Sequence, residues 1–450
     1  MSGAISATVA RPTQEARSSQ SLRVLQVDKF LRRFGGAAAY MLDLGDQLER
    51  SGHRVEYFAA AHPDNLAATY ETVFPQVESY DPPPERSADR VRAGAGMFWS
   101  RRAARSMATV LDDFRPDVVH LHNIYHQLSP SVLRPIAQRG IPMVMTLHDF
   151  KLVCPTYRLH DGRASCEACL GGGFHNAVLR RCKSGSALNS AVLAAETAAH
   201  RWFGAYDPVD VLVCPSRFLL DKLLEAGFDA RRLRHVPNFT GVTPAEAPPV
   251  ADGPVLNVGR MSQEKGVDTL IEACALPPAR ELRLAGEGRL TDEMRDLAER
   301  VAPATTRFLG QLGPEQVRSE IDAARTVVFP ARGYENMPLA IIETMARGVP
   351  VIVTDMGGSP ELVADGGGLR VPPDDPVALR AAIDQLDDDS TCRRLGAEGI
   401  GIVRSRYAPD VHVRAIEDLY CEVLGSGFAA ATTMEIDDVG RIDDVGSKVS

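Results

Sequence analysis

The sequence predicts an α/β protein with two parallel-sheet domains that face a central cleft. Strand-like apolar runs alternate with helical segments over most of the 450 residues, and this alternation favours parallel sheets with helices on both faces. The alternation falls into two series, and a chain of this length accommodates two or three domains. Polar residues follow several predicted strands, at the end where open α/β sheets bind ligands.

The first series has strand-like apolar runs at 22–28, 53–60, 117–123 and 142–149. Gly35 and Gly36 stand between the first two runs and open a helix, because glycine permits a tight strand-to-helix turn. Strand, turn, helix and strand form a right-handed βαβ unit. The full GxGxxG spacing is missing, so the glycines alone do not predict a dinucleotide site.

The second series has strand-like runs at 211–216, 233–238, 254–260, 281–288, 306–310, 326–331 and 350–355, with helical segments between them. We place the domain boundary near residues 200–210, which gives a first domain at 21–205 and a second at 206–405. A last helix is predicted at 406–425. Residues 1–20 and 426–450 are small and polar and lack helical periodicity, so both are predicted to be disordered tails.

Composition argues against a nucleic-acid-binding protein, because the net charge is −9 and the pI is about 5.7. Residues 21–205 nevertheless hold 22 Lys and Arg against 18 Asp and Glu. This excess permits contact with anionic lipid or a phosphorylated acceptor, although ordinary variation between domains also explains it.

No apolar run is long enough to span a bilayer, and the N-terminus lacks a secretory signal. We therefore expect a cytoplasmic protein, and peripheral contact with the inner membrane face stays open.

The segment 332–350 carries two carboxylates in the pattern E-x7-E. Glu335 is predicted at the mouth of a helix and Glu343 about two turns inside it. A helix mouth attracts anions, so a carboxylate there suits hydroxyl groups that are joined to a phosphate. Arg260 and Lys265 follow a predicted strand and offer cations. Two cations and two carboxylates together point to a nucleotide sugar as the ligand.

Histidines end two predicted strands of the first series. His120 and His122 end one strand, and His148 and Asp149 end the next; we expect these side chains to face a cleft. His148 is either an active-site residue or a histidine satisfied by the backbone, and the first is favoured. For His120 and His122 both interpretations stay open, because strand alternation directs one of them into the sheet, where it packs.

Four cysteines stand in an insertion at 154–182 with the spacing C-x11-C-x2-C-x12-C: Cys154, Cys166, Cys169 and Cys182. Four thiols with one CxxC in a short stretch are compatible with a structural zinc site. The alternatives are an iron–sulfur cluster or reduced thiols that only pack.

A basic segment, 85–107, centres on Met97, Phe98 and Trp99. It is either a surface helix with an apolar inner face, which is favoured, or a contact for membrane or a lipid-linked acceptor.

Taken in order, these segments resemble glycosyltransferase family 4. The resemblance runs through FGGAAAYMLDL, DVVHLHN, TLHD, VLVCPSRF, NVGRMSQEKG, LRLAGEG and FPARGYENMPLAIIETMARGVPVIVTDMGGSPELV. It implies the GT-B fold, with two Rossmann-like domains and a final helix that crosses back to the first. It also implies a retaining enzyme that binds a nucleotide sugar in the C-terminal half and an acceptor in the N-terminal half.

The resemblance implies roles for the candidate residues. Arg260 and Lys265 would stabilise the leaving diphosphate, and His148 would hydrogen-bond the donor sugar and the diphosphate. Glu335 would bind sugar hydroxyls, and Glu343 would bind the ribose.

The glycine loop with Gly36 would approach the donor phosphate. Asn336, Met337 and Pro338 stand where the family has glycine-rich sequence; Asn336 and Met337 would offer backbone N–H groups to the donor, or Asn336 would cap the helix.

The implied reaction uses no cofactor, since no acidic DxD-type metal site lies near the donor residues. Its partners are a nucleotide-sugar donor and a sugar, lipid-linked or small-molecule acceptor, with no nucleic acid. The product would enter a polysaccharide, glycolipid or glycoconjugate. Two alternatives stay open: a GT-B sugar-nucleotide epimerase or hydrolase, and a non-catalytic nucleotide-sugar-binding partner of another transferase.

Overall fold

The computed structural model describes residues 21–33, 35–77, 94, 96–249 and 252–425. The predictions for the two tails, 1–20 and 426–450, and for the part of the basic segment before residue 94 lie outside the described residues. The described chain forms two six-stranded parallel sheets with helices packed around them. No helix in these ranges is long and apolar enough to cross a membrane.

The first sheet contains β1 (Arg23–Val27), β2 (Arg54–Phe58), β3 (Val118–Leu121), β4 (Met143–Thr146), β5 (Val211–Cys214) and β6 (Leu233–His235). Its strand order is β2-β1-β3-β4-β5-β6. Val27 of β1 pairs with Phe58 on one side and Leu121 on the other. The strand order reverses at β1, which opens a crevice at the carboxyl ends of β1 and β3.

The predicted domain boundary near residues 200–210 is wrong, because β5 and β6 belong to the first sheet. Leu212 of β5 pairs with Met145 of β4 and with Leu233 of β6. The apolar run of β5 fits the interior of either sheet, so the sequence pattern did not distinguish them. The chain leaves the first sheet after His235 and enters the second at Val255.

The helices of the first half are α1 (Gly36–Arg50), α2 (Arg101–Phe114), α3 (Leu133–Ala137), α4 (His175–Leu179), α5 (Ala187–Trp202) and α6 (Arg217–Glu225). Ser100, Ser186 and Ser216 begin α2, α5 and α6 by accepting a backbone N–H of the first turn. In the basic segment, residues 96–98 are helical and α2 begins only at Arg101. Met97 is buried there and Trp99 is exposed.

The second sheet contains β7 (Val255–Val258), β8 (Leu282–Ala285), β9 (Thr306–Gly310), β10 (Thr326–Phe329), β11 (Val351–Thr354) and β12 (Gly368–Val371). Its strand order is β12-β11-β10-β7-β8-β9. β7 comes first in the chain and lies between β10 and β8, so the order reverses there. The loops that follow β7 and β10 therefore flank the ligand crevice of this sheet.

The helices of the second half are α7 (Val267–Ala275), α8 (Thr291–Val301), α9 (Pro314–Ala323), α10 (Leu339–Ala346), α11 (Ser359–Leu362), α12 (Pro376–Gln385), α13 (Asp389–Ile402) and α14 (Pro409–Val423). α14 lies against the first half of the chain. Its residues Val413, Ile416 and Tyr420 share one buried apolar cluster with Val24 and Tyr40.

Candidate active site

Two loops of the second half meet at the carboxyl edge of its sheet. One follows β7 and carries Arg260 and Lys265, and the other follows β10 and carries Glu335. Their backbones touch, because the N–H of Gly333 donates to the carbonyl oxygen of Glu264 at 2.9 Å. A Cβ atom on Gly333 would lie 2.7 Å from the Cβ of Glu264. Glycine therefore allows the two loops to approach this closely.

This approach brings Lys265 and Glu335 together. Lys265 Nζ donates to Glu335 Oε1 at 2.6 Å, and both side chains are partly buried. Arg260 is 77% exposed, and its nearest carboxylate is Glu264 at 4.0 Å. Lys265 is thus held by a carboxylate, whereas Arg260 extends into solvent and is free to meet a polyanion.

A pair of adjacent glycines, Gly357 and Gly358, supports the backbone of Glu335. The N–H of Gly358 donates to the carbonyl oxygen of Glu335 at 2.7 Å. A Cβ atom on Gly357 would lie 2.3 Å from the same oxygen. The loop after β11 therefore packs directly on the backbone of Glu335. This contact restricts the backbone from which the Glu335 side chain extends.

Two details of the predicted helix mouth are wrong. α10 begins at Leu339, so Glu335 precedes the helix, and Glu343 lies about one turn inside it, not two. Pro338 occupies the N-cap position and no side chain caps the helix. The predicted capping by Asn336 is therefore absent.

Asn336 instead joins the two halves of the molecule. Its Nδ2 donates to the carbonyl oxygen of Leu147 at 2.9 Å, and its Oδ1 accepts from Ser216 Oγ at 2.7 Å. Asn336 follows Glu335 and Leu147 precedes His148, so this contact sets the two predicted site residues on adjoining loops. The side chain is engaged, which leaves only the backbone of Asn336 for the predicted donor contact.

The other predicted donor residues, Met337, Glu343 and Gly36, lie before α10, within α10 and at the start of α1. The Met337 sulfur accepts a backbone N–H from the segment after β6 at 3.0 Å. Burial raises the pKa of Glu343, and the charge of Asp43 on α1 adds to the effect. Gly36 opens α1, and a Cβ atom there would lie 3.7 Å from Leu339 Cδ1, an ordinary contact.

His148 lies at the carboxyl end of β4, where it hydrogen-bonds to His122. Its Nε2 is 3.0 Å from His122 Nδ1, and His122 Nε2 is 2.7 Å from Gln26 Oε1. The Gln26 oxygen only accepts, so His122 donates from Nε2 and accepts at Nδ1. His148 therefore donates from Nε2 and keeps a lone pair on Nδ1. Burial lowers the pKa of His148 to about 3, so its ring is neutral at pH 7.

His120 and His122 are both fully buried, so the expectation that only one of them packs inside is wrong. His120 hydrogen-bonds to Tyr420 of α14 at 2.7 Å. Tyr40 packs edge-on against His148, with ring centroids 5.0 Å apart, and hydrogen-bonds to His412 of α14 at 2.8 Å. The returning helix thus completes the network behind His148.

The sequence prediction misses Asp28, which ends β1 and is almost fully buried. Burial raises the pKa of Asp28 to about 7 and that of Asp149 to about 6. Asp28 Oδ1 accepts the N–H of Lys29 at 2.7 Å, and Oδ2 has no hydrogen-bond partner among the described residues. The signal was present, because the strand-end rule that selects His148 selects Asp28 as well.

Glu361 is a second residue that the sequence prediction misses. Its carboxylate oxygens accept the N–H groups of Arg217 and Phe218, at 2.9 and 2.7 Å, in the first turn of α6. The carboxylate thereby caps a helix of the other half of the molecule. The partners stand 144 and 143 positions earlier in the chain, so no local pattern indicates the contact.

The four cysteines of the insertion lie in one neighbourhood. All are free thiols, and Cys169 and Cys182 pack in a small apolar cluster. Burial, together with the charges of the other three, raises the pKa of the Cys169 thiol to about 12. Within the described ranges, no group of three or more His, Cys, Asp or Glu side chains is arranged to hold a metal ion. The described residues therefore contain no formed zinc site.

Sequence models of known families match both halves of the chain. The model described as Glycosyltransferase Family 4 matches residues 34–242, and the one described as Glycosyl transferases group 1 matches residues 253–389. The chain belongs to glycosyltransferase family 4. It therefore has the GT-B fold of a family of glycosyltransferases. The two matches meet where the chain passes from the first sheet to the second.

Individual relatives transfer sugars in glycan and glycolipid synthesis. The lipopolysaccharide core biosynthesis glycosyltransferase LpsE of Rhizobium meliloti is 31% identical over 232 residues, or 48% of this chain and 64% of LpsE. The chain thus spans less than two thirds of that relative. The phosphatidyl-myo-inositol mannosyltransferase of Mycobacterium tuberculosis is 27% identical over 406 residues, or 87% of this chain and 94% of the relative.

Solved structures of low identity share the fold. Sucrose-phosphate synthase from Thermosynechococcus elongatus matches with a TM-score of 0.65 and 21% identity, over 90% of this chain and 100% of that one. HepE of Anabaena, in complex with UDP and glucose, matches with a TM-score of 0.57 and 17% identity, over 88% of this chain and 99% of that one.

Proposed function

We propose that the protein transfers a hexose from a nucleotide diphospho-sugar to an acceptor hydroxyl, with retention of anomeric configuration. The observation that carries the proposal is the pair of Lys265 Nζ and Glu335 Oε1, 2.6 Å apart at the reversal point of the second sheet. Asn336 hydrogen-bonds this loop to Leu147, the residue that precedes His148. A cation and a carboxylate side by side suit a ligand that carries both phosphate and hydroxyl groups. The UDP in HepE supports a nucleotide donor.

The leaving nucleoside diphosphate gains negative charge as the glycosidic bond breaks. Arg260, which extends into solvent, and Lys265 supply fixed positive charge for it, without a catalytic metal ion. When the diphosphate binds, it competes with Glu335 for Lys265. Glu335 is then free to accept hydrogen bonds from the sugar, so one ion pair is exchanged for two ligand contacts.

His148 acts on the donor sugar in this proposal. Its Nε2–H is taken by His122, and its neutral ring offers only the Nδ1 lone pair. That atom accepts a hydrogen bond from a sugar hydroxyl and has no proton to give to the diphosphate. The acceptor hydroxyl attacks C1 from the face that the diphosphate leaves. A departing phosphate oxygen takes the acceptor proton, so no second catalytic carboxylate is required.

We place the acceptor in the first half of the chain, at the carboxyl ends of β1, β3 and β4. LpsE acts in lipopolysaccharide core synthesis and the mycobacterial relative acts on phosphatidyl-myo-inositol, which supports a sugar or lipid-linked acceptor in glycan or glycolipid synthesis. A lipid-linked acceptor is amphiphilic. We therefore place the reaction in the cytoplasm, at the inner face of the membrane.

A screen of nucleotide sugars tests the proposal. The protein is incubated with UDP-, GDP- and other nucleotide hexoses, with and without sugar or lipid acceptors, and anomeric configuration is followed by NMR. We expect acceptor-dependent transfer with retention, and loss of transfer in Glu335→Gln. Glu315→Gln, the same change on an exposed carboxylate of α9, should leave transfer unchanged.

Three outcomes contradict the proposal. Donor turnover that is as fast without acceptor identifies an epimerase or hydrolase. Inversion of the anomeric configuration overturns the same-face mechanism. Donor binding without turnover over the whole acceptor panel identifies a non-catalytic partner of another transferase.

A structural zinc ion at Cys154, Cys166, Cys169 and Cys182 stays a proposal that rests on their spacing and neighbourhood alone. Metal analysis of freshly purified protein tests it, and folded protein free of zinc and iron would exclude it. Catalysis in the proposed mechanism does not depend on it.

A further inference from the structure

Helix α5 (Ala187–Trp202) buries several polar side chains and exposes several large apolar ones. Glu196, Thr197 and His200 are buried, whereas Leu188 and Trp202 are exposed. A surface helix normally has the reverse arrangement. Both faces of α5 therefore need a physical explanation.

The inner face of α5 is held by a buried charge cluster. Lys151 Nζ donates to Glu196 Oε2 at 2.6 Å, and the ring nitrogens of His126 and His200 lie 3.3 and 3.6 Å from Glu196 Oε1. Burial alone would raise the pKa of Glu196, but the His126 hydrogen bond and the Lys151 charge hold it at about 2. Breaking such a pair leaves an uncompensated buried charge, so the cluster fixes which face of α5 points outward.

The outer face of α5 is an apolar stripe. Leu188, Val192, Ala195, Ala199 and Trp202 follow one another at helical spacing, and each is exposed or partly exposed. The stripe ends at Trp202 and Phe203, which are 86% and 81% exposed. The guanidinium of the neighbouring Arg201 turns away from it and packs over Phe228, 4.7 Å from the ring centroid.

A groove continues this stripe toward α3 and the segment that precedes α2. It measures about 670 Å³, and its apolar lining includes Phe98, Trp99, Leu133, Ala137, Phe203 and Pro208. Trp99 is 42% exposed at its rim. The chain has two tryptophans, so both stand at this one surface, which we call the aromatic face: the groove together with the α5 stripe and its end at Trp202 and Phe203.

The chain around the aromatic face is basic, although the whole protein is acidic. Residues 96–205 hold 13 Lys and Arg against 7 Asp and Glu. Arg134 lines the groove, and Arg101 stands two positions after Trp99. Both are exposed, and neither forms an ion pair within the part of the chain that the structure describes. Tryptophan and phenylalanine beside unpaired arginine is the combination that binds the interface of an anionic bilayer.

We propose that the aromatic face docks the protein on a lipid bilayer that contains anionic headgroups. Trp202, Phe203 and Trp99 would enter the boundary of headgroups and acyl chains, and Arg101 and Arg134 would meet lipid phosphates. The charge of the aromatic face favours an anionic bilayer over a second copy of the chain. In a dimer formed through this face, Arg101 and Arg134 of the two copies would repel each other. The proposal rests on the proposed function only for the nature of the acceptor, since docking itself requires no donor.

The docked helix is connected to the active-site loop. Lys151, which binds Glu196 of α5, also donates its backbone N–H to Asp149 Oδ1 at 2.9 Å. Asp149 follows His148 in the chain. Docking through α5 therefore holds the half of the molecule that carries His148 against the membrane, where an amphiphilic acceptor is found.

Vesicle binding tests the docking surface without any nucleotide sugar. The two tryptophans report directly, so their emission is followed during titration with vesicles of phosphatidylcholine alone or of an equal mixture with phosphatidylglycerol. We expect a blue shift with the mixed vesicles, weaker at high salt, and little change with phosphatidylcholine alone. Phe203→Ser keeps both tryptophans and should weaken partitioning by about tenfold or more, because it removes an exposed aromatic ring that would be buried in the bilayer on docking.

Val377→Ser provides the matched control, since Val377 is an exposed apolar residue of α12 in the other half. It should bind vesicles like the parent protein. Far-UV circular dichroism and thermal melting check folding, and Trp202→Ser, followed by vesicle flotation, replaces Phe203→Ser if the latter melts early.

The proposal is overturned if no vesicle shifts the emission or if Phe203→Ser binds as well as the parent. A concentration-dependent dimer that Phe203→Ser abolishes would assign the face to self-association instead. Vesicle binding without sugar transfer would support the docking surface and contradict the proposed function. Sugar transfer without vesicle binding would support the proposed function and contradict the docking surface.

Discussion

The histidine side of the cleft is buried and neutral, whereas the donor side is partly exposed and charged. His148 is hydrogen-bonded to His122, and the rings of His120 and Tyr40 behind it are hydrogen-bonded to α14. On the donor side, Arg260 is mostly exposed and Lys265 is held by Glu335. The first side is thus prepared before any ligand arrives, because burial and hydrogen bonds fix its protonation. The second is arranged to exchange partners with a polyanion.

The largest expected effect is on the charged side. Lys265→Ala should lower kcat about 100- to 1000-fold, because it removes a positive charge that faces the leaving diphosphate. Arg370→Ala is the control, since Arg370 forms an exposed ion pair with Asp355 in the same half. Steady-state kinetics with the identified donor measures both. A loss below about tenfold in Lys265→Ala would show that the leaving group is stabilised elsewhere.

A smaller effect on kcat is expected from changing His122, which holds His148 on the neutral side of the cleft. His122→Phe removes the acceptor that holds His148 Nε2–H, so the His148 ring loses its fixed orientation. We expect kcat to fall roughly tenfold to a hundredfold while the dissociation constant of the nucleotide stays unchanged. His175→Phe, on an exposed turn of α4, should change neither. Equal loss of nucleotide affinity in His122→Phe would indicate general disruption of the site.

Gly36→Ala examines the boundary between the two sides. The added Cβ atom would lie 3.7 Å from Leu339 Cδ1, an ordinary contact, so the thermal midpoint should stay near that of the parent. If the donor phosphate approaches this turn, the methyl group meets it, and KM for the donor should rise several-fold. Gly401→Ala, where a Cβ atom meets nothing within 4 Å, is the control. An unchanged KM would remove Gly36 from the donor site.

The smallest expected effect is on the pH dependence of the free energy of unfolding, through His120 on the neutral side of the cleft. Burial lowers the pKa of His120 from 6.5 to about 3. Below pH 6.5 the unfolded chain therefore binds a proton that the folded protein excludes, and stability falls as pH decreases from 6.5 toward 3. His120→Asn should reduce this slope by up to about 1.4 kcal/mol per pH unit. Urea unfolding at several pH values measures it, and an unchanged slope would contradict the neutral buried ring.

The fold could be predicted to a large extent, but the domain boundary could not. Strand and helix order follow from apolar periodicity, which is local. The assignment of β5 to the first sheet depends on Leu212 meeting Met145, and a strand that is apolar throughout fits the interior of either sheet. Partner choice between strands is a property of the assembled sheet, so the pattern placed the boundary about thirty residues too early.

The candidate site divides in the same way. Arg260, Lys265 and His148 are predicted from their places at or after strand ends, where open α/β sheets bind ligands, and Glu335 is predicted from its place at a helix mouth. Asn336, Glu361 and His120 could not be assigned, because their partners stand 189, 144 and 300 positions away. Each makes its contact only after the two halves and α14 have packed together.

The sequence by itself determined the order of elements, the residue types at the strand ends and the family. These depend on composition and spacing over a few residues, which the chain carries whether it is folded or not. The tertiary structure alone decided which protonation state His148 holds, that Asn336 joins the halves, and that α5 turns an apolar stripe outward. Burial, which shifts each pKa and orients each helix, is produced by the whole fold and by no segment of it.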